Sequence, residues 1–296
     1  MLVPIGTRVV LRVPVTGTRA VYSSGAVAVI VDVPRDATHA YRVRLPDGYE
    51  CTAVRSEFAI LADVKSPMPP AMLDDRELRS FIVYSCVVGS RAYGLDHADS
   101  DVDRRGVYLP PADRHWSLFG VPEQLEDRER EECHWEMQKF LVLAAKANPN
   151  VLECLWTPRI EHIEPIGEEL LAIRDAFLSK LVYQTFNGYV ISQFRKMAVK
   201  LRRSEEPSRK HAMHLIRLLR TGIGTLLEHR VPVAVGDARE ELLSIRDGTM
   251  PWQDVEALRH RLHDEFDRAF AATTLPDRPD YSVIDRFLLR ARRSVL

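Results

Sequence analysis

The sequence predicts a central α/β domain over residues 66–164, with a small all-β domain before it (1–65) and a helical domain after it (165–296). Three observations predict this order. Short β-branched runs separated by turn residues fill the first region. Buried-type strands alternate with helical patterns in the second, and helical periodicity continues through nearly all of the third.

The first domain shows β-branched runs over 9–13, 26–33 and 41–45, with turn residues between them and no helical pattern. Short strands at this spacing predict a small barrel of the SH3-like kind. We expect it to dock either RNA or protein. Five residues rich in proline, 66–70, favour extended chain and predict a linker after the barrel.

Composition limits the function classes. The net charge of −1 provides no overall attraction to nucleic acid, so such binding needs a local basic patch. No apolar run reaches the roughly 18–20 residues that cross a bilayer, and the start lacks a signal-peptide pattern. We therefore expect no membrane partner. The four cysteines have no C-x-x-C spacing, so we expect no zinc site and a cytoplasmic location.

A phosphate-binding turn is predicted in the second domain. The apolar strand 81–88 ends abruptly at Gly89 and Ser90. A glycine there lets backbone N–H groups approach a phosphate, and the serine hydroxyl adds a donor. A short helix beginning at this point favours an anion through its N-terminus.

Two carboxylates follow the Gly-Ser pair after an interval of ten residues. Asp101 and Asp103 are two apart on predicted extended chain, so both point to one face. Paired carboxylates suit Mg²⁺ or Mn²⁺, and the ten residues after Ser90 allow the chain to return on a neighbouring strand. Alone, a Gly-Ser pair is usually a turn and an Asp-x-Asp pair a solvated strand edge. Together they predict phosphate and metal binding at one sheet edge, as nucleotidyl transfer requires.

The segment 89–103 resembles the signature of the DNA polymerase β-like nucleotidyltransferase superfamily. Its continuation to Pro110, with the segments 139–153 and 210–218, is similar to a branch associated with RNA 3′-end repair and ligation. The resemblance covers roughly residues 80–260. It implies a mixed-sheet nucleotidyltransferase core, an NTP substrate such as ATP, and transfer of its NMP to a hydroxyl. The implied acceptor is an RNA 3′ end, with tRNA as one candidate.

The resemblance also implies a third carboxylate that binds metal or acts as a base. The branch pattern places it at Glu131, where glutamate replaces the usual aspartate. Glu132 is the alternative, on the opposite face of an extended strand.

Basic helices are predicted to face the nucleotide. Residues 174–220 hold 11 Lys or Arg against 3 acidic residues, a net charge of +8. Lys210, His214 and Arg217 share one helical face, which the resemblance places behind the nucleotide. The other interpretations are a solvated basic face and, for His214, a packed histidine. Arg91 and Tyr93 beside the phosphate turn are further candidates for nucleotide contact.

Other interpretations of single segments and of the whole chain remain open. Asn148-Pro149-Asn150 is interpreted as a structural turn, with Asn150 capping the next helix. Two alternative functions stand beside transfer to RNA: nucleotidylation (AMPylation) of a protein or small molecule, and a nucleotide sensor without catalysis.

Overall fold

The computed structural model describes residues 3–16, 21–34, 39–65, 75–98, 100–202 and 208–296. The chain divides into two compact units, Met1–Asp74 and Asp75–Leu296. Each unit has its own hydrophobic core, and the two cores share no residue. Within the described residues, no helix is both long and apolar enough to cross a membrane.

The first unit is built on an antiparallel sheet. Its described elements are β1 (Arg8–Leu11), β2 (Val15–Thr16), β3 (Val21–Tyr22), β4 (Val27–Asp32), β5 (Tyr41–Arg44), β6 (Glu50–Ala53), β7 (Phe58–Ile60) and the helix α1 (Leu61–Lys65). Five strands pair in the order β6–β5–β4–β1–β7, and β2 pairs with β3. Alternation in β5 buries Tyr41 and Val43 and exposes Arg42 and Arg44, so one face of the sheet forms the core.

The prediction of a closed SH3-like barrel is not confirmed. A barrel closes only when its first and last strands pair. In the described residues, β6 and β7 stand at opposite edges of the five-stranded sheet. The prediction that this region is built on β-strands is confirmed by its antiparallel sheet, although a short helix, α1, follows the last strand.

The second unit contains a mixed sheet, as predicted. Its strands are β8 (Ile82–Val87), β9 (Arg104–Tyr108), β10 (Gln124–Asp127), β11 (Glu132–Glu136) and β12 (Ile160–Ile163). Their spatial order is β10–β11–β9–β8–β12. β11 runs parallel to β9, and the other neighbours are antiparallel. β8 lies inside the sheet and is buried on both faces, which explains its continuous apolar sequence.

Helices make up most of the second unit. They are α2 (Asp75–Arg79), α3 (Gly89–Tyr93), α4 (Ala112–Trp116), α5 (Met137–Ala145), α6 (Pro149–Trp156), α7 (Pro165–Ala172), α8 (Leu181–Arg202), α9 (Arg209–Glu228), α10 (Arg239–Arg246), α11 (Trp252–Ala272) and α12 (Tyr281–Arg293). The central helix α9 packs against α8, α10 and α11. Its apolar stripe, which includes Met213, Ile216 and Leu219, is buried.

One hydrophobic core runs through the sheet and the C-terminal helices. Tyr84 and Val107 from the sheet belong to the same buried cluster as Ile216 and Phe266 from the helices. The separation of this unit at residue 164 into two domains therefore stays a prediction from sequence pattern.

Side-chain caps fix the starts of two helices near the site. Glu136 accepts hydrogen bonds from the backbone of Gln138 and Lys139 at the start of α5. At α6 the cap is Asn148, which accepts from the backbone N–H groups of Asn150 and Val151. The expectation that Asn150 is the cap was wrong by two residues, because the helix already begins at Pro149, which has no N–H to satisfy.

Candidate active site

The predicted phosphate turn is a strand-to-helix junction. β8 ends at Val87, and α3 begins two residues later at Gly89. Gly89 has a φ of +70°, and a Cβ there would lie 2.5 Å from Asp103 Oδ2. Glycine is thus required both for the backbone conformation and for the close approach of the carboxylate. The Ser90 hydroxyl has no hydrogen-bond partner among the described residues and remains available to a ligand.

The two aspartates lie just before β9, which begins at Arg104, and not on the strand itself. The Asp103 carbonyl accepts a hydrogen bond from Val88 N at 2.9 Å, so strand pairing continues as far as Asp103. That bond holds Asp103 beside the phosphate turn. Asp101, two residues earlier in the chain, is exposed.

Arg91 holds the backbone of the aspartate loop. Its Nη2 donates to the Ser100 carbonyl at 2.7 Å, and its Nε is 3.2 Å from the carbonyls of both Ser100 and Asp101. The guanidinium therefore positions Asp101 from within the fold. Direct nucleotide contact by Arg91 stays a prediction.

A cleft of about 320 Å³ brings most of the predicted groups together. One wall carries the turn and both aspartates, and the opposite wall carries residues of α9 and α10. The predicted residues that line it are Gly89, Ser90, Tyr93, Asp101, Asp103, Lys210 and His214. Lys210 is exposed, and its ammonium makes no ion pair with a described residue. Phosphate donors, carboxylates and a cation therefore surround one space.

His214 lines this cleft as a neutral ring. Burial, with the positive charges of Arg217 and Lys210, lowers the pKa of His214 to about 4. At neutral pH the imidazole is uncharged, so it can accept as well as donate a hydrogen bond. Its ring meets the Tyr93 ring edge-on, with 6.4 Å between centroids.

Arg217 lies in a buried network behind the cleft. Its Nη1 is 2.6 Å from Glu153 Oε1, and the Tyr93 hydroxyl donates to Glu153 Oε2 at 2.6 Å. The guanidinium carbon lies 3.7 Å from the centroid of the Tyr93 ring. Burial opposes the charged guanidinium, but the Glu153 carboxylate outweighs it and raises the pKa of Arg217.

This network changes what can be expected of the predicted α9 cations. Arg217 forms an ion pair with the buried carboxylate of Glu153 and does not line the aspartate cleft. Lys210 is therefore the α9 cation that faces the aspartates. A nucleotide-binding role for Arg217 stays a prediction. Its described contacts are the ion pair with Glu153 and the approach of its guanidinium to the Tyr93 ring.

The two candidates for the third carboxylate, Glu131 and Glu132, differ in the contacts that they make. Glu132 pairs with Arg104 in the parallel register, and its carboxylate forms an ion pair with Arg79 at 3.0 Å. Glu131 precedes β11 with a φ of 54° and is exposed. Its carbonyl accepts from Arg104 N and from Arg105 Nη1. Glu132 is held in an ion pair, whereas the Glu131 carboxylate is exposed, so Glu131 is the freer of the two to bind a ligand.

A small cavity of about 260 Å³ joins Asp103 to both glutamates. Arg105 also lines it, with Nη2 3.5 Å from Asp103 Oδ1. Across the described part of the chain, no group of three or more His, Cys, Asp or Glu side chains is placed to hold a metal ion. Two carboxylates, Asp101 and Asp103, therefore line the cleft, and further carboxylates line the small cavity together with Arg105.

The donors on the cleft fit Mg²⁺ chemically. Asp101 and Asp103 supply carboxylate oxygens, and Gly89 keeps the space beside Asp103 Oδ2 clear of any side chain. Mg²⁺ is commonly held by one or two carboxylates, with substrate phosphates and water completing its shell. Asp101 and Asp103 are the residues that would hold it.

Sequence reasoning missed Arg246 from α10. It lines the same cleft, donates from Nη1 to the Leu95 carbonyl at 3.0 Å, and forms an ion pair with Asp247 at 2.9 Å. No local motif marks this arginine, because the chain fold alone brings it to the loop after α3. Its neighbour Arg239 likewise donates to the Gly94 carbonyl.

The chain is similar to known proteins over most of its second unit. The model of the RNA repair pathway DNA polymerase beta family, RlaP, matches residues 74–290. The chain is also 40% identical over 81 residues to "Uncharacterized protein YcgL" of Bacillus subtilis (strain 168). That similarity covers 25% of this chain and only 30% of the relative's length. Since the family match spans most of the chain, this protein belongs to the RNA repair pathway DNA polymerase beta family.

Proposed function

We propose that this protein is a Mg²⁺-dependent nucleotidyltransferase that moves an NMP from an NTP to a hydroxyl acceptor, preferably an RNA 3′ end. The observation that carries the proposal is the single cleft lined by Ser90, Asp101, Asp103 and Lys210. Each of these groups suits a different part of a metal–triphosphate complex. Mn²⁺ is an alternative metal for the same oxygen donors.

Each residue has a defined role in binding. The Ser90 hydroxyl and nearby backbone N–H groups hold phosphate oxygens, and the Lys210 ammonium neutralises part of their charge. Arg91 keeps the loop of Asp101 in place through its backbone bonds. A metal ion held by Asp101 and Asp103 would neutralise developing charge and orient the attacking oxygen.

The transfer itself is an in-line displacement at the α-phosphorus. The acceptor oxygen forms a bond to phosphorus, the bond to the bridging oxygen breaks, and pyrophosphate leaves. The hydroxyl proton passes to a carboxylate. Glu131, exposed in the cavity that it shares with Asp103, is our candidate for that base.

An RNA acceptor is supported by the family and by local charge. The family is described by its place in RNA repair, and residues 174–220 carry a net charge of +8. A tRNA is one candidate RNA. Transfer to a protein or small molecule, as in AMPylation, is the alternative acceptor, and the overall charge of −1 favours it.

One observation favours a nucleotide sensor instead. Among the described residues three metal-binding side chains do not converge, and Arg105 approaches Asp103 at 3.5 Å. A guanidinium at that position competes electrostatically with a second cation.

Incubation with each α-³²P-labelled NTP, Mg²⁺, total tRNA and a cell protein extract tests the three possibilities. The matched control is the double variant Asp101→Asn/Asp103→Asn. Label that reaches RNA with the unmodified protein and not with the control supports the proposal and identifies the nucleotide. Label on protein favours AMPylation, and NTP binding without transfer favours the sensor.

A further inference from the structure

A second cavity, of about 470 Å³, lies next to the cleft that holds the aspartates. It is bounded by the start of α6 and by facing residues of α8 and α9. Tyr93 and His214 line both spaces. A ligand that occupies the aspartate cleft can therefore extend past these two side chains without leaving the protein surface.

The lining of the second cavity differs from that of the cleft. None of its described lining residues is a carboxylate, whereas the cleft has two. Leu215 and Leu218 supply apolar surface, and Tyr189 is 48% exposed. An exposed aromatic ring beside apolar side chains is suited to stacking with a flat heterocycle.

Polar groups that can both donate and accept surround this apolar surface. Thr185 Oγ1 donates to the Lys146 carbonyl at 3.3 Å, and its lone pairs remain able to accept. The side-chain amide of Asn150 is exposed and makes no hydrogen bond with a described residue. An amide presents a donor and an acceptor side by side, which matches the edge of a nucleobase.

One residue that lines this cavity also carries a buried donor without a partner among the described residues. Arg217 lines the cavity and is 94% buried, with 6% of its surface exposed. Its Nη1 is bonded to Glu153, but its Nε has no hydrogen-bond partner among the described residues. A buried N–H without a partner is costly, and a ligand acceptor would relieve that cost.

We propose that the second cavity binds the base of the nucleotide whose phosphates occupy the aspartate cleft. Tyr189 stacks on the base, Asn150 and Thr185 contact its edge, and Tyr93 with His214 flank the sugar between the two spaces. This assignment rests on the proposed function. It makes Tyr189 and Asn150 the residues that decide which nucleotide is preferred.

The terminal nucleoside of an RNA acceptor is the competing occupant. The attacking hydroxyl must reach the α-phosphorus near Asp103, and the small cavity of Arg105 and Glu131 opens on Asp103. The second cavity, by contrast, is joined to the phosphate cleft through Tyr93 and His214. The nucleotide therefore has the more direct route into it.

The test measures dissociation constants of the full chain for each NTP and for inorganic tripolyphosphate, with Mg²⁺ present. The variants are Tyr189→Ala, Tyr189→Phe, Asn150→Ala and Lys210→Ala. Tyr281→Ala is the matched control, because Tyr281 is 54% exposed and lines neither cavity. Loss of a stacking ring typically costs enough to weaken binding by about tenfold.

We expect Tyr189→Ala to weaken NTP binding by about tenfold and to leave tripolyphosphate binding unchanged. Tyr189→Phe should bind like the unmodified protein, and Asn150→Ala should change the ranking of the four NTPs. Lys210→Ala should weaken both ligands, which checks the phosphate site independently.

Three results would overturn the assignment. Equal weakening of NTP and tripolyphosphate by Tyr189→Ala would mean that the ring supports phosphate binding. Unchanged NTP binding with a raised KM for RNA would place the acceptor in this cavity. If the unmodified protein binds neither NTP nor tripolyphosphate, the proposed function fails together with it.

Discussion

Gly89 is the residue on which the proposed chemistry depends most directly. Its positive φ strains any other residue, but that strain is shared by Gly94, whose φ is +75°. The difference lies in the surroundings. A Cβ at Gly89 would collide with Asp103 Oδ2 at 2.5 Å, whereas one at Gly94 would meet nothing within 4 Å.

This pair gives a matched prediction for catalysis. Gly89→Ala should displace the Asp103 carboxylate and lower the transfer rate by about 100-fold, as displacements near 1 Å commonly do. Gly94→Ala should carry a similar backbone penalty, lowering thermal stability while keeping most of the transfer rate. Rates of label transfer and thermal unfolding midpoints measure the two effects. Equal loss of rate in both variants would show that backbone strain, and not contact with Asp103, is responsible.

His134 illustrates a buried residue with a predictable pH effect. Its Nε2 lies 3.2 Å from Ser85 Oγ, and its Nδ1 has no partner among the described residues. Burial, with the charges of Arg79 and Arg105, lowers the pKa of His134 to about 4. In the unfolded chain the His134 ring takes up a proton near pH 6.5, whereas in the folded protein it does so only near pH 4. The contribution of neutral His134 to stability is therefore fully present above pH 6.5 and is lost as the pH falls toward 4.

The corresponding prediction is a difference between two proteins. From pH 6.5 to 5.5, the free energy of unfolding should fall by about 1 kcal/mol more in the unmodified protein than in His134→Gln. Urea unfolding at both pH values measures this, and subtraction removes the contribution of the other histidines. Parallel losses in the two proteins would show that His134 is protonated in the folded state.

Among the elements, α12 is joined to the sheet by a buried ion pair. Arg292 near its end lies 2.8 Å from Glu136, the residue that caps α5. Both side chains are at most 10% exposed. Removing one member of such a pair leaves an uncompensated buried charge, which is more destabilising than losing a surface contact.

Arg292→Gln should therefore lower the free energy of unfolding by about 3 kcal/mol. The neighbouring Arg293 is exposed, and Arg293→Gln should change it by less than about 0.5 kcal/mol. Chemical unfolding of both variants gives the comparison. Similar small effects would mean that Glu136 is satisfied by its backbone contacts alone.

Local patterns predicted the elements that carry the cleft better than they predicted contacts between elements. The strand before Gly89, the helix after it and the helix from Met137 are all visible in the sequence, because each follows from burial periodicity and turn chemistry. The position of Arg246 beside Leu95 and the Glu153–Arg217 pair were not predictable. Both join residues more than 60 positions apart, and no local rule reports such distances.

On the scale of the whole molecule, the two hydrophobic cores have no residue in common. The core of the first unit contains residues from Val3 to Phe58, and that of the second contains residues from Val83 to Ala291. The cleft and the second cavity are lined entirely by residues of the second unit. Nucleotide binding should therefore need only residues 75–296.

A protein comprising residues 75–296 should fold cooperatively and bind NTP with the affinity of the full chain, because it keeps every residue of the second core. If the first unit docks RNA or a partner protein, its removal should raise the KM for the acceptor and leave the KM for NTP unchanged. Circular dichroism, thermal unfolding and transfer kinetics on both proteins measure these quantities. Weaker NTP binding by a folded 75–296 protein would show that the first unit contributes to the nucleotide site. An unchanged KM for the acceptor would instead show that the first unit does not dock the acceptor.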